Sequence, residues 1–499
     1  MLALDLITRY FVMADNMSTT ERLDEALRRV RSIFVGQPIF RDLQCRRTAF
    51  FSVTDFLKPI DAVLVDDIAQ CMVSKVDFKT CDVIVSVADR TSGPLTHQVS
   101  VLTGVPYTLA NWYPHGSPGE IEIEHCAGFN GDGLVFLNGL RRNHNKAIII
   151  MDVLKSGATA GNLVSGLERH GVQVVHCVFA TEIVEAGGRR HSALMDIPIT
   201  TLVPIHMRGE CTKEAHIKDD GRFPRSVTPT KNSIQRSNSP SSTPRGTALD
   251  SPRSRSPPRT LDPSLVGASL VPRTVPSIIR VIKKMDNATL RAKVDRVAAT
   301  FLHIPIHNNP HLSYPYSFFT LTDFVPLMQP SLVEDMADLC VYYGDFERCD
   351  LIVSEADRGG GPLAQAVSMR TNKPFVLANW YSSGEGLGAA SRVQVGFSGQ
   401  GNIVVNGVSP GQRCTFLDDM LSSGGTAEGV LRSIVALGGI PIEGVFISEK
   451  LYPPSADQRL PVRKGKNRLL GIWAHLEVTT VVQFVAEGER TRAPLTQVG

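Results

Sequence analysis

The sequence predicts an α/β protein made of two tandem copies of one parallel-sheet domain joined by a disordered linker. Three observations carry this expectation. Residues Asp82 to Tyr113 align without a gap on Asp350 to Tyr381 at a constant offset of 268, with 19 identities in 32 positions against about two expected by chance. Short apolar runs alternate with helical patterns in each copy. Between the copies lies a tract rich in Ser, Pro, Thr and Arg with no apolar periodicity.

The repeat is domain-sized. Upstream, Phe51 to Phe56 matches Phe319 to Phe324 at the same offset, and downstream Ile148 to Ala160 matches the segment ending at Ala427 after the loss of one residue. This sets the expected boundaries at 20–211 for the first copy, 212–276 for the linker and 277–490 for the second copy. A chain of 499 residues with 42% apolar content supports two cores.

The 7% aromatic content and balanced hydropathy give no sign of a membrane protein, and a net charge of +3 gives no overall bias toward nucleic acid or anionic lipid. Nine cysteines without a CxxC pair suit a reducing compartment and argue against a zinc site. The N-terminal stretch is interrupted by Asp5 and Arg9 and lacks a basic leader, so no signal peptide is expected and the cytoplasm is the default location.

The linker carries Thr228-Pro229, Ser239-Pro240, Thr243-Pro244, Ser251-Pro252 and Ser256-Pro257 among Arg236, Arg245, Arg253, Arg255 and Arg259. That pattern suits a proline-directed kinase, and equally a solvated spacer. Without interleaved aromatics its basic charge is not expected to bind nucleic acid.

In the second copy, Leu351 to Ser354 reads as a strand buried on both faces, Pro362 to Met369 as the following helix and Phe375 to Leu377 as the next strand. Cys414 to Leu417 reads as a strand ending in Asp418-Asp419, Thr426 to Leu437 as a helix stopped by Gly438-Gly439, and Pro441 to Ser448 as one more strand. Ligands of such a sheet are sought at the carboxyl ends of the strands.

The most informative segment is TFLDDMLSSGGTAEG, Thr415 to Gly429. Glycines admit an anion close to the backbone, Ser and Thr hydroxyls add donors, and the first amides of a helix point their unpaired N–H groups at a phosphate. Two adjacent carboxylates would repel that phosphate but accept hydrogen bonds from a vicinal diol. Together they point to a sugar phosphate such as ribose 5-phosphate.

LDDMLSSGGT resembles the motif that binds 5-phosphoribosyl-1-pyrophosphate (PRPP) in type I phosphoribosyltransferases. The resemblance implies that Asp418 and Asp419 hold the ribose hydroxyls and that Ser422, Ser423, Gly424, Gly425 and Thr426 cradle the 5′-phosphate. Glu355 to Pro362 (EADRGGGP) resembles the pyrophosphate loop of the adenine and xanthine enzymes, which implies that Asp357, Arg358, Gly359 and Gly360 face the pyrophosphate together with Mg²⁺ brought in by PRPP. The Phe319 to Phe324 segment resembles the purine-contacting region, leaving Phe319 or Phe324 either stacked on a base or packed in the core.

The implied activity is purine-type, adenine-like transfer of ribose 5-phosphate from PRPP to a nucleobase, with loss of pyrophosphate. The sequence departs from the family where Asn379-Trp380 occupies the place of a basic pair, and Arg392 is the only cation in the glycine-rich lid from Ser382 to Gly401. These departures keep a second reading open, a PRPP-binding regulatory protein without turnover. The first copy departs further: Met151, Lys155 and Ala158 stand in place of Asp418, Ser422 and Gly425, and its lid carries Glu120, Glu122 and Glu124 with no Lys or Arg. It is expected to be catalytically silent and to serve as a pseudosymmetric partner, homodimerisation being the other form of pairing.

Overall fold

The computed structural model describes residues 18–41, 47–55, 58–113, 121–128, 131–215, 278–307, 317–381, 391–394, 402–453 and 461–493. Residues 216–276 of the expected linker lie outside these residues, as do Glu120 and most of the second lid, whereas 212–215, expected to begin the linker, continue the first copy's sheet.

Each copy forms one eight-stranded sheet. The first contains β1 (Val83–Val87), β2 (Tyr107–Tyr113), β3 (Ile121–Gly128), β4 (Gly131–Leu137), β5 (Lys146–Leu154), β6 (Gln173–Ile183), β7 (Ile199–His206) and β8 (Lys213–Glu214), in the order β8-β7-β6-β5-β1-β2-β4-β3. The second contains β9 (Leu351–Glu355), β10 (Phe375–Tyr381), β11 (Ser391–Gln394), β12 (Asn402–Val405), β13 (Arg413–Leu421), β14 (Ile440–Leu451), β15 (Glu477–Glu487) and β16 (Arg490–Arg492). Its order, β16-β15-β14-β13-β9-β10-β12-β11, repeats the first strand for strand.

In both sheets the five middle strands run parallel and the flanking strands antiparallel. Even the register repeats, with Ile84 opposite Tyr107 and Ile352 opposite Phe375. The central strands are buried on both faces, which is why they read as continuous apolar runs rather than alternating ones.

The helices start where the sequence supplies caps. In α1 (Thr19–Phe34), Ser18 and Glu21 form a reciprocal capping box, and in α2 (Ala62–Lys75) the Asp61 carboxylate accepts from the Val63 amide. α3 (Ser92–Thr103) and α7 (Gly360–Thr371) are buried around most of their circumference because they meet each other across the two copies. A methyl added to Gly361 would lie 3.3 Å from Pro94, and one added to Gly93 would lie 3.7 Å from Pro362, each the counterpart of the other at the 268-residue offset. α4 (Ala158–Arg169), α5 (Asn287–Ala298), α6 (Pro330–Tyr343), α8 (Gly425–Ala436) and α9 (Lys464–Ile472) complete the main set.

The same pseudo-two-fold relation appears in the backbone. Tyr107 and Met328 exchange N–H···O bonds of 3.1 and 3.0 Å, while their counterparts Phe375 and Ile60 exchange two of 2.9 Å. A contact that recurs with its partners reversed is the signature of an isologous interface, formed here inside one chain. The described residues up to Ala215 and from Ile278 therefore make one compact unit. No described helix is long and apolar enough to cross a membrane.

Candidate functional site

The site of the second copy is built at the carboxyl end of β13. This strand was expected to stop at Asp418-Asp419, but it continues to Leu421 because β14 pairs with it as far as Leu421 opposite Glu449. On its other side, pairing with β9 ends at Phe416, so both acids sit past the last rung shared with that neighbour. They are buried, and one oxygen of Asp419, Oδ2, has no hydrogen-bond partner among the described residues.

The loop after β13 turns at Gly424, whose φ of +78° is left-handed and whose missing side chain leaves room for Gly465 O, 3.1 Å from where a Cβ would stand. No side chain caps the start of α8, so its first amides face the loop without a side-chain acceptor. Ser422 Oγ lies 3.0 Å from the Tyr452 hydroxyl; Ser423 is exposed, and Gly425 and Thr426 are half-buried. Ser422 to Thr426 thus form the turn between β13 and α8, just past the two acids.

Gly359 has a steric reason to be glycine: a methyl there would overlap the Asp419 carboxylate. This packs the EADRGGGP turn directly against the Asp418-Asp419 pair. Glu355, Asp357 and Asp418 bring carboxylate oxygens within 4.8 Å of one another. Burial pushes Asp357 up to about 6, and it pushes Asp418 and Asp419 well above the usual carboxylate range. The neighbouring acids raise Asp418 and Asp419 further: Asp419, Glu355 and Asp357 act on the former, and Asp357, Glu355 and Asp323 on the latter. Such mutual repulsion suits a hard divalent cation or hydroxyl donors.

Three expected site residues have other work in this structure. Arg358 is fully buried, and instead of reaching into the turn its guanidinium crosses to the first copy, donating from Nε to Leu109 O and from Nη2 to Phe136 O, both at 2.9 Å. Asp357 caps α7, with Oδ1 accepting from Gly359 N at 3.1 Å and Gly360 N at 2.6 Å, so those two amides are already used. Phe319, 5% exposed, packs with ring centroids 5.4 Å from Phe301 and 5.0 Å from Phe484, which makes it core rather than a base platform. Phe324 is likewise buried, edge-on to Tyr107 of the first copy at 5.3 Å.

Glu355 and the cluster of Lys450, Tyr452 and Lys464 were not singled out from sequence. Glu355 was legible as an acid at a strand end beside Asp357. The other three lie on β14, just after it and at the start of α9, and only the fold brings them to the Ser422 loop.

The first copy repeats the scaffold with altered chemistry. Gly157, at φ +81°, matches Gly424, and a methyl there would sit 2.7 Å from Gly188 O. Met151 is buried where Asp418 stands, Asp152 accepts from its own strand at Val153 N, and Lys155 is exposed in place of Ser422.

No protein-family model matches the chain. It is similar to the HGPRTase-like protein 1 of Haloferax volcanii, 29% identical over 164 residues, which are 33% of this chain and 85% of that protein. The hypoxanthine/guanine phosphoribosyltransferase of Ferroglobus placidus is 31% identical over 137 residues, 28% of this chain and 72% of that protein. Among solved structures, an adenine phosphoribosyltransferase from Rhodothermus marinus aligns at 21% identity and a TM-score of 0.29, over 39% of this chain and 99% of that one. The shared loop after β13, the duplicated sheet order and the Ferroglobus relationship lead to one conclusion: the chain belongs to the type I phosphoribosyltransferase family.

Proposed function

We propose that the second copy transfers ribose 5-phosphate from PRPP to a purine base and releases pyrophosphate. The observation that carries this reading is the buried, unpartnered Oδ2 of Asp419 beside the uncapped start of α8, a diol acceptor next to a phosphate cradle. In this reading Asp418 and Asp419 hold the ribose hydroxyls, and Ser422, Ser423, Gly424, Gly425 and Thr426 hold the 5′-phosphate. C1′ is thereby fixed in line with the incoming base nitrogen.

The acid cluster fits Mg²⁺: Glu355, Asp357 and Asp418 present hard oxygen donors whose repulsion a cation relieves. When bound, Mg²⁺ supplies charge neutralisation for the leaving pyrophosphate. The chain's own contribution there is limited, because the Gly359 and Gly360 amides are taken by Asp357 and Arg358 is committed to the first copy. That observation favours the second reading, in which PRPP is bound as a regulatory ligand and not turned over.

The resemblance implies a purine-type, adenine-like acceptor without fixing the base, while the names of the relatives favour hypoxanthine or guanine. Incubation with Mg²⁺, PRPP and a panel of adenine, hypoxanthine, guanine, xanthine and orotate, with pyrophosphate and nucleotide measured, separates these cases. Binding of PRPP without product from any base selects the regulatory reading. Asp419→Asn is expected to abolish activity and Asp152→Asn to leave it unchanged, since we infer that the first copy is silent. We further propose that a proline-directed kinase modifies the linker, which phosphate incorporation at Ser239 or Ser251 would test.

A further inference from the structure

Four basic residues begin α9 or flank it, directly over the phosphate loop, where a methyl on Gly465 would lie 2.6 Å from Ser422 O. Most of the cations here have partners. Arg463 binds the buried Glu449 carboxylate, Arg468 binds Glu428, and Lys466 donates to Val478 O at 3.0 Å. Lys464 and, from β14, Lys450 are different: among the described residues no carboxylate pairs with either. Both converge on one ring, Lys464 Nζ at 4.2 Å and Lys450 Nζ at 5.6 Å from the centroid of Tyr452. The Tyr452 hydroxyl in turn meets Ser422 Oγ at 3.0 Å. Burial lowers the Lys450 pKa and the Lys464 charge lowers it further, the condition of two neighbouring ammonium groups that an anion would relieve.

The first copy shows what is gained. The registers place Ile183 at the position of Lys450 and Glu185 at that of Tyr452, since Leu154 pairs with Glu182 as Leu421 pairs with Glu449. Glu185 is occupied by His206 and Arg208, and the positive charge has moved onto the loop itself as Lys155. The copies thus carry their loop-side cations on different elements.

We propose that Lys464, Lys450 and Tyr452 form a cationic roof over the second copy's phosphate loop, supplying to the 5′-phosphate of a ribose 5-phosphate ligand the positive charge that Ser422 to Thr426 lack. The inference rests on reading that loop as the sugar-phosphate site. Tyr452 acts as the platform, holding both ammonium groups against its face and tying them to the loop through Ser422. The phosphate dianion sits between loop amides and roof.

Titration of the full-length protein with ribose 5-phosphate, followed by calorimetry, tests this in the wild type and in Lys464→Met, Lys450→Met and Tyr452→Phe. Each lysine variant is expected to weaken ribose 5-phosphate about five- to tenfold and to flatten its salt dependence. Tyr452→Phe is expected to weaken it about two- to threefold, the platform being kept and only the hydroxyl lost. Lys464 is exposed, so its variant folds normally and carries the test even if Lys450→Met does not. If both lysine variants bind like the wild type while Asp419→Asn does not bind, the roof is refuted and the sugar-phosphate reading stands. If the variants lose free purine instead and keep ribose 5-phosphate, the cluster recognises the acceptor and the proposal is overturned. A wild type that binds neither ribose 5-phosphate nor PRPP refutes both.

Discussion

Arg358 Nε donates to the backbone oxygen of Leu109 at 2.9 Å, so a residue of the second copy's EADRGGGP turn is anchored on a strand of the first copy. Nη2 of the same side chain reaches Phe136 O, on β4, which pairs antiparallel with β3. The charge is buried and its donors satisfy two carbonyls that are shielded from water. Arg358→Ala is expected to destabilise the chain by about 3 kcal/mol or more, through unmet carbonyls and a cavity. Urea unfolding measures this; a variant of wild-type stability with only a raised KM for PRPP would return Arg358 to the pyrophosphate.

Gly359 sets the distance between the turn and the Asp418-Asp419 pair. Gly359→Ala would push the added methyl into the buried Asp419 carboxylate, which would have to shift. PRPP affinity is expected to fall about ten- to a hundredfold with the melting temperature little altered. Direct titration with PRPP checks it.

Asp66 on α2 is buried, and among the described residues no cation pairs with it as Arg370 pairs with its counterpart Glu334; it accepts instead from Gln70 and Gln98. Burial raises its pKa from 3.8 to about 6. The folded state therefore holds this proton more tightly than the unfolded chain, so stability is lost as pH rises from about 3.8 through 6 and stays lost above. Asp66→Asn is expected to stabilise the protein by about 1–3 kcal/mol at pH 7.5 and to have little effect near pH 4. Thermal melts of both forms across that range decide it.

Glu334 behaves oppositely. Arg370 and then His97 outweigh burial and hold it down to about 2, so its contribution is full above about 4.5 and disappears as pH falls toward 2. Because His97 belongs to the first copy, Glu334→Gln is expected to loosen the contact between copies. The measurement is limited proteolysis within residues 218–276, after which the two halves of the wild type co-elute on gel filtration and those of the variant separate more readily.

The family and the turn after β13 were legible because their signals are local. Asp418-Asp419 and Ser422 to Thr426 are contiguous, and the turn, the strand before it and the helix after it each follow from nearby residue types. Helix starts were read within about two residues, whereas β13 ran past its expected end because strand length depends on the partner β14. Phe319 looked equally suited to base and core, and Phe301 and Phe484, distant in sequence, decide for the core.

By itself the sequence determined the duplication, the parallel α/β class, the position of the acid pair and of the Ser-Gly turn after it, and the replacements at Met151, Lys155 and Ala158 in the first copy. Tertiary structure alone decided that the copies close on one another about a pseudo-two-fold, that Arg358 serves that interface, and that Lys450, Tyr452 and Lys464 meet above Ser422. Hydrogen bonds and charge pairs act over a few ångströms in space, and no spacing along the chain records which distant carbonyl, ring or ammonium group folding brings within that reach.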